Sequence, residues 1–261
     1  MTRTGRRTGT GGRTGTGGRA GPVALVTGGG GGIGSAVARR LARSGARVTV
    51  ADLDAVRGRA VADEIGGLFV RLDVTRPEDN HAAVAETISA YGRLDVAVLN
   101  AGVPGSCGLD DFTAERYRAT MAVDLDGVVH GLQACLPVFR AQGSGSVVVV
   151  SSIAGLSPSP DVFYSTAKHA LIGLVRSSAL VLADGIRVNA LCPGLVDTPI
   201  LAPFRRSLVD AGCRIAPAGL IAEAVEHVLA DGRTGQVWVA QAGQAPSLVE
   251  PPHIALATTE R

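Results

Sequence analysis

Between residues 23 and 240 the chain alternates short, wholly apolar runs with longer stretches whose apolar positions recur at helical spacing. The runs Val23–Thr27, Val48–Ala51, Leu68–Leu72, Leu94–Leu99, Ser146–Val150, Ile186–Ala190 and Gln236–Ala240 predict strands. Between them, Gly32–Ser44, Ala55–Ile65, Pro77–Tyr91 and the stretches 113–142, 162–183 and 219–230 predict helices. A strand such as Val147–Val150 has no polar face, so both of its sides must be buried; a parallel sheet between two helix layers provides that burial. The expected fold class is α/β: one doubly wound domain over residues 22–243, with seven parallel strands and six helices. Such sheets bind ligands beyond the carboxyl ends of their strands, where the strand order reverses.

Composition agrees with one compact domain, at 46% hydrophobic and 18% charged residues. With 3% aromatics and 35 glycines, the core must be built from Ala, Val, Leu and Ile, with many tight turns between elements. No uncharged apolar run reaches the roughly 18 to 20 residues needed to span a bilayer. The four cysteines form no C-x-x-C pair, and His81, His130, His169, His227 and His253 show no ligand spacing, so neither a disulfide framework nor a metal site is expected. These features point to a soluble, cytoplasmic protein. Residues 1–21 carry five arginines, no acid and almost no apolar side chain, and are expected to be disordered. This arm has no aromatic residue on which a base could stack, which argues against a nucleic-acid role. The other 20 basic residues face 23 acidic ones, so the remainder is mildly acidic. The tail 244–261 receives no assignment.

The predicted strand ends carry the candidate chemistry. After the first strand, Thr27 is followed by Gly28-Gly29-Gly30-Gly31-Gly32-Ile33-Gly34 and then directly by a helix. Such a loop admits a pyrophosphate against the helix N-terminus, whose free N–H groups favour anions. Spelling alone is weak evidence, because Gly15–Ala20 matches the same pattern with no strand before it. Asp52 ends the second strand 18 residues after Gly34, near the offset at which an acid reaches an adenosine ribose. Its carboxylate would repel the 2′-phosphate of NADP, and no Lys or Arg stands in the glycine loop, so NAD is the expected cofactor. The competing reading makes Asp52 or Asp54 an ordinary helix cap.

Later strands end at Asp73-Val74, Asn100-Ala101-Gly102, Ser151-Ser152 and Pro193-Gly194, while Tyr164 and Lys168 stand four apart on a predicted helix. A phenol is a poor base at neutral pH, and making it a good one takes about 4 kcal/mol. One ammonium about 4 Å away supplies that much at an effective dielectric near 20, but only about 1 kcal/mol in bulk water, so the pair needs a shielded cleft. Lys168 is the chain's single lysine among 25 basic residues, retained where a compact ammonium suits better than arginine's planar fork.

Taken together, the glycine loop, Asn100-Ala101-Gly102, Ser152, Tyr164-x-x-x-Lys168 and Pro193-Gly194 make the chain resemble the short-chain dehydrogenase/reductase family over residues 22–243. The resemblance implies a Rossmann-type domain that moves a hydride between a secondary alcohol or ketone and a nicotinamide. It implies Tyr164 as general acid/base, Ser152 orienting the substrate oxygen, and Lys168 acidifying Tyr164 and holding the nicotinamide ribose. It assigns cofactor binding to Gly28, Gly32, Ile33, Gly34, Asp52, Asp73, Val74, Asn100, Ala101, Gly102, Pro193, Gly194, Val196 and Thr198, together with Tyr164 and Lys168. A homodimer or homotetramer is also implied, formed through the helices near 113–142 and around Tyr164. Where the family has Asn-Leu-x-Gly, this chain has Asp124-Leu125-Asp126-Gly127; a carboxylate there would offset part of the lysine's field at Tyr164. Arg205 and Arg206, in the loop before the last helix, read as solvated charges or as a lure for a carboxylate. Two alternatives stay open: a catalytically weak NAD-binding protein of the same fold, and an NADP-dependent carbonyl reductase.

Overall fold

The computed structural model describes residues 21–251. The expected disorder of 1–21, apart from Gly21, lies outside that range, as does His253. Eight strands form one sheet in the order β3-β2-β1-β4-β5-β6-β7-β8. They are β1 (Val23–Thr27), β2 (Arg47–Asp52), β3 (Leu68–Arg71), β4 (Val96–Leu99), β5 (Gly145–Val150), β6 (Ile186–Pro193), β7 (Val237–Ala240) and β8 (Ser247–Leu248). The first seven pair in parallel, and β8 returns antiparallel to β7 through Trp238↔Leu248 and Val239↔Ser247. The seven expected strands are thus present, joined by a two-residue edge strand within the tail. That strand is too short to leave an alternating pattern in the sequence.

Helices α1 (Gly32–Arg43), α2 (Ala55–Ile65) and α8 (Ala218–Ala230) cover one face; α3 (Pro77–Tyr91), α5 (Gly127–Gln142) and α6 (Val162–Val181) cover the other. The strands alternate between these two cores. Val147 and Val149 pack with Leu132, Phe139 and Leu171, whereas Val148 and Val150 pack with Val37, Ile221 and Val225. This double burial is the physical reason that the strands read as unbroken apolar runs.

Two local departures matter for the site. The stretch expected as one helix over 113–142 is divided into α4 (Ala114–Met121), a π-helical turn at Ala122–Asp126, and α5. Such turns are uncommon and often stand at functional positions; this one carries the buried Asp124. A short helix α7 (Arg205–Asp210) also forms in the loop after β6, and none of its residues is buried, so it has no apolar face for the sequence to announce.

The strand order reverses between β1 and β4, whose neighbours lead outward in opposite directions. The carboxyl ends of these two strands, at Gly28 and Asn100, therefore open a crevice.

Candidate active site

The crevice is a cleft of about 370 Å³. Its floor is laced by side-chain bonds between the two strand ends. Thr27 Oγ1 accepts from Asn100 N–H at 3.0 Å and Ala101 N–H at 3.1 Å, while Asn100 Nδ2 donates to the Thr27 carbonyl at 3.0 Å. Gly28 turns at φ +62°, and a side chain there would meet Ala101 Cα at 2.9 Å. At Gly34 a Cβ would lie 2.1 Å from the Gly28 carbonyl oxygen, so this glycine lets α1 pack directly on the loop.

The residues present fit a dinucleotide. The N-terminus of α1 has no side-chain cap and no acid in its first turn, and Gly31 and Gly32 line the cleft beside it. An uncapped helix start with a free approach is a site for a diphosphate. By contrast, α2 is capped by Asp54, which accepts from Val56 and Arg57 N–H. Asp52 is not that cap: its Oδ2 accepts from Gly30 N–H and its Oδ1 from Asp54 N–H, both at 2.8 Å, and it borders the cleft. Arg57 also reaches the cleft, from α2, with its Nε bound to Asp54 Oδ2 at 2.7 Å. The sequence carries no signal for this cation, which stands outside the glycine loop and reaches the cleft only through the fold. On the same side, Asp73 anchors its own turn through Thr75 and, with Val74, completes the wall.

At the other end, Tyr164 and Lys168 both face the cleft, with Lys168 Nζ 5.3 Å from the centre of the Tyr164 ring. Lys168 is buried, and Nζ forms a 3.0 Å ion pair with Asp124 Oδ1. Burial works against its charge, but the Asp124 carboxylate and Tyr164 outweigh it and hold the ammonium above the ordinary lysine value. Burial lifts the Asp124 carboxyl above the ordinary range, against the pull of Lys168. Asp124 Oδ1 also accepts from Val103 N–H at 3.2 Å, whereas Oδ2 is buried with no protein partner among the described residues. Asp124 thus stands behind Lys168 and does not line the cleft.

The two serines divide the work. Ser151 is buried, lines the cleft and donates to the Lys168 carbonyl at 2.9 Å, tying β5 to α6. Ser152, the serine expected to orient the substrate oxygen, is not among the residues that line the cleft; its Oγ accepts from Ala154 N–H at 3.1 Å, which leaves its hydroxyl hydrogen available to donate.

The other expected cofactor residues fall into two groups. Ile33, Gly102 and Thr198 line the cleft. Pro193, Gly194 and Val196 do not; they build the strand end that delivers Thr198, Pro199 and Ile200 to it. Gly194 N–H bonds the Ala240 carbonyl at 2.9 Å, and Val196 is buried and bridged to Ala216. Val103, Pro199 and Ile200 also line the cleft, residues the sequence did not single out, with Pro199 beside Gly32 of the cradle. Arg205 pairs with Asp197 at 3.2 Å in the exposed loop, away from the cleft lining. Among the described residues, no group of three or more His, Cys, Asp or Glu side chains could hold a metal ion, and no helix is long and apolar enough to cross a membrane.

A doubly wound sheet with a diphosphate cradle at its switch point and a Tyr–Lys pair beside it defines a dinucleotide-dependent oxidoreductase. The family model for short chain dehydrogenase matches residues 22–208, and the chain belongs to that family. It is an oxidoreductase that acts on CH–OH groups of small molecules with a nicotinamide cofactor. Among similar proteins, trans-4-hydroxycyclohexanecarboxylate dehydrogenase of Sinomonas cyclohexanicum is 39% identical over 197 residues, spanning 70% of this chain and 76% of that one. Cyclohexanol dehydrogenase of Acinetobacter sp. (strain SE19) is 37% identical over 193 residues, spanning 71% and 77%. The structure of 3-ketoacyl-(acyl-carrier-protein) reductase from Brucella melitensis complexed with NADH superposes with a TM-score of 0.78 at 30% identity, covering 85% of this chain and 98% of that one.

Proposed function

We propose that the protein interconverts a secondary alcohol on an aliphatic ring and the corresponding ketone, with NAD as its cofactor. The observation that carries this reading is the pairing of Tyr164 with a buried Lys168 in the same cleft as the uncapped N-terminus of α1. In oxidation, the ionised Tyr164 oxygen takes the proton of the substrate hydroxyl, and in reduction the Tyr164 hydroxyl returns it to the carbonyl oxygen. Ser152 donates to that oxygen and fixes its direction. The Lys168 ammonium, 5.3 Å from the centre of the Tyr164 ring, places a positive charge beside the group that exchanges the proton. When bound, a nicotinamide supplies the two-electron hydride exchange with the carbinol carbon. Glycines 28, 31 and 32 and the start of α1 would hold its diphosphate, and Asp52 the adenosine ribose.

NAD is favoured over NADP because the Asp52 carboxylate would oppose a 2′-phosphate, while Arg57 is already paired with Asp54. The ring substrate is supported by the cyclic alcohols named for two relatives. A cytoplasmic homo-oligomer completes the reading. Exposed Leu180 and Val181 at the end of α6 support the oligomer, and light scattering would test it.

Turnover of cyclohexanol with NAD, followed by nicotinamide absorbance, tests the main claim. Tyr164→Phe is expected to abolish turnover, because the proton-transferring oxygen is removed. Turnover retained in Tyr164→Phe would overturn it.

A further inference from the structure

We infer that Asp161 is a positioning residue that sets the substrate-side opening of the site, by clasping the loop after β4 to the first turn of the helix that carries Tyr164. The inference rests on the reading of Tyr164 as the proton-transferring group.

The loop from Asn100 to Thr113 contains no helix or strand, yet it supplies Gly102 and Val103 to the cleft beside Tyr164. Its backbone N–H groups are fixed one after another by side chains from elsewhere. Asn100 and Ala101 bond Thr27, Val103 bonds Asp124, Gly105 bonds Asp161 and Ser106 bonds Thr120. Of these acceptors, only Asp161 belongs to the start of α6. One carboxylate serves both sides: Oδ2 accepts from Gly105 N–H at 2.8 Å, and Oδ1 caps α6 by accepting from Tyr164 N–H at 3.2 Å. The carboxylate, 56 positions from Gly105, therefore holds the loop to the backbone of the reacting residue itself.

Gly105 is shaped for this contact. A Cβ at that position would lie 1.9 Å from Asp161 Oδ1 and 2.8 Å from Oδ2, so the carboxylate occupies the space a side chain would fill. The acid also suits the positive end of the α6 dipole, which makes the clasp favourable at its helix end. Its consequence falls on the gap between Val103 and Tyr164, where the reacting alcohol must enter. A loop displaced there by about 1 Å costs orientation and leaves the diphosphate cradle at α1, on the other side of the cleft, untouched.

Three variants of the full chain test the clasp. Asp161→Ser keeps a good helix cap but is too short to hold Gly105 as well. Gly105→Ala keeps Asp161 and forces the two apart, and Asp161→Asn leaves a single oxygen for two donors. For Asp161→Ser and Gly105→Ala, kcat/KM for cyclohexanol is expected to fall roughly 10- to 100-fold, mainly through KM. NAD binding, read by fluorescence titration, should stay within about twofold, and Tm should change by less than about 3 °C. Asp161→Asn should fall between these variants and the parent. Parental KM and kcat in both Asp161→Ser and Gly105→Ala would overturn the inference, as would an equal loss of NAD affinity. Tyr164→Phe separates the two claims: a dead Tyr164→Phe beside a fully active Asp161→Ser removes only the clasp, whereas an active Tyr164→Phe removes the reading beneath it.

Discussion

Lys168 Nζ lies 3.0 Å from Asp124 Oδ1, and the two side chains are sealed from solvent at 3% and 0% exposure. The lysine that faces Tyr164 is thus neutralised from behind by a carboxylate where the family carries an amide. Cys192 and Asp161 are the other titratable groups close to the pair.

Replacing Asp124 by Asn keeps a hydrogen-bond acceptor for Lys168 and removes the counter-charge. The positive charge beside Tyr164 is then no longer offset, so the pH–rate profile of alcohol oxidation should move to lower pH. A profile that stays in place would show that Asp124 exerts no field at Tyr164. Asp124→Leu tests the structural side: it leaves a buried unpaired cation, and a loss of about 3 to 5 kcal/mol is expected in denaturant titration.

Stability should fall as pH rises above about 9. Burial pushes the Cys135 thiol from 9.0 up to about 12, and burial first among its causes pushes Cys192 from 9.0 up to about 11. In that window the unfolded chain releases protons that the folded chain retains, so the slope of stability with pH is negative. Lys168, held above its ordinary value, adds to the loss as pH passes through the lysine range. For Cys135 alone the full window corresponds to about 4 kcal/mol. Urea midpoints from pH 8 to 11 measure the slope, and Cys135→Ala should flatten it.

Gly34→Ala should destabilise the fold and abolish nucleotide binding together. Its new methyl would stand 2.1 Å from the Gly28 carbonyl oxygen, and neither backbone can yield without opening the loop. A loss of about 1 to 3 kcal/mol is expected. Parental Tm and parental NAD affinity in this variant would contradict the close packing of α1 on the loop.

Asp52→Asn should narrow the preference for NAD by at least roughly tenfold, measured as the ratio of NAD to NADP dissociation constants. The amide can still accept from Gly30 or Asp54 but no longer repels a phosphate. Adding Arg57→Ala should reverse part of the gain if the guanidinium leaves Asp54 for the phosphate.

The sheet, its order of elements and the glycine cradle were legible because their determinants are local: unbroken apolar runs mark doubly buried strands, and the loop is flanked by a strand and a helix. The Tyr164 and Lys168 spacing was legible for the same reason, both residues lying on one helical face. What escaped depends on contacts distant in sequence. Gly105 and Asp161 stand 56 residues apart and neither belongs to a motif. Arg57 reaches the cleft only because α2 begins beside Asp52. The π-helical turn at Asp124 adds one residue to a helical repeat, a shift too small for periodicity to reveal. Pro193, Gly194 and Val196 lie outside the cleft lining and build the strand end that brings Thr198 to it, a placement set by pairing with Ala240 and Ala216 far along the chain.

The antiparallel β8 has a consequence for solubility. By pairing with β7 over Trp238 and Val239, this short strap closes a rim that would otherwise offer unmet backbone groups to another molecule, and Arg176 steadies it through the Val249 carbonyl at 3.4 Å. Proteins with exposed rims of this kind are prone to stack into aggregates. A chain cut after Gly243 should therefore keep its cradle and its Tyr–Lys pair, yet clump at concentrations the whole protein tolerates.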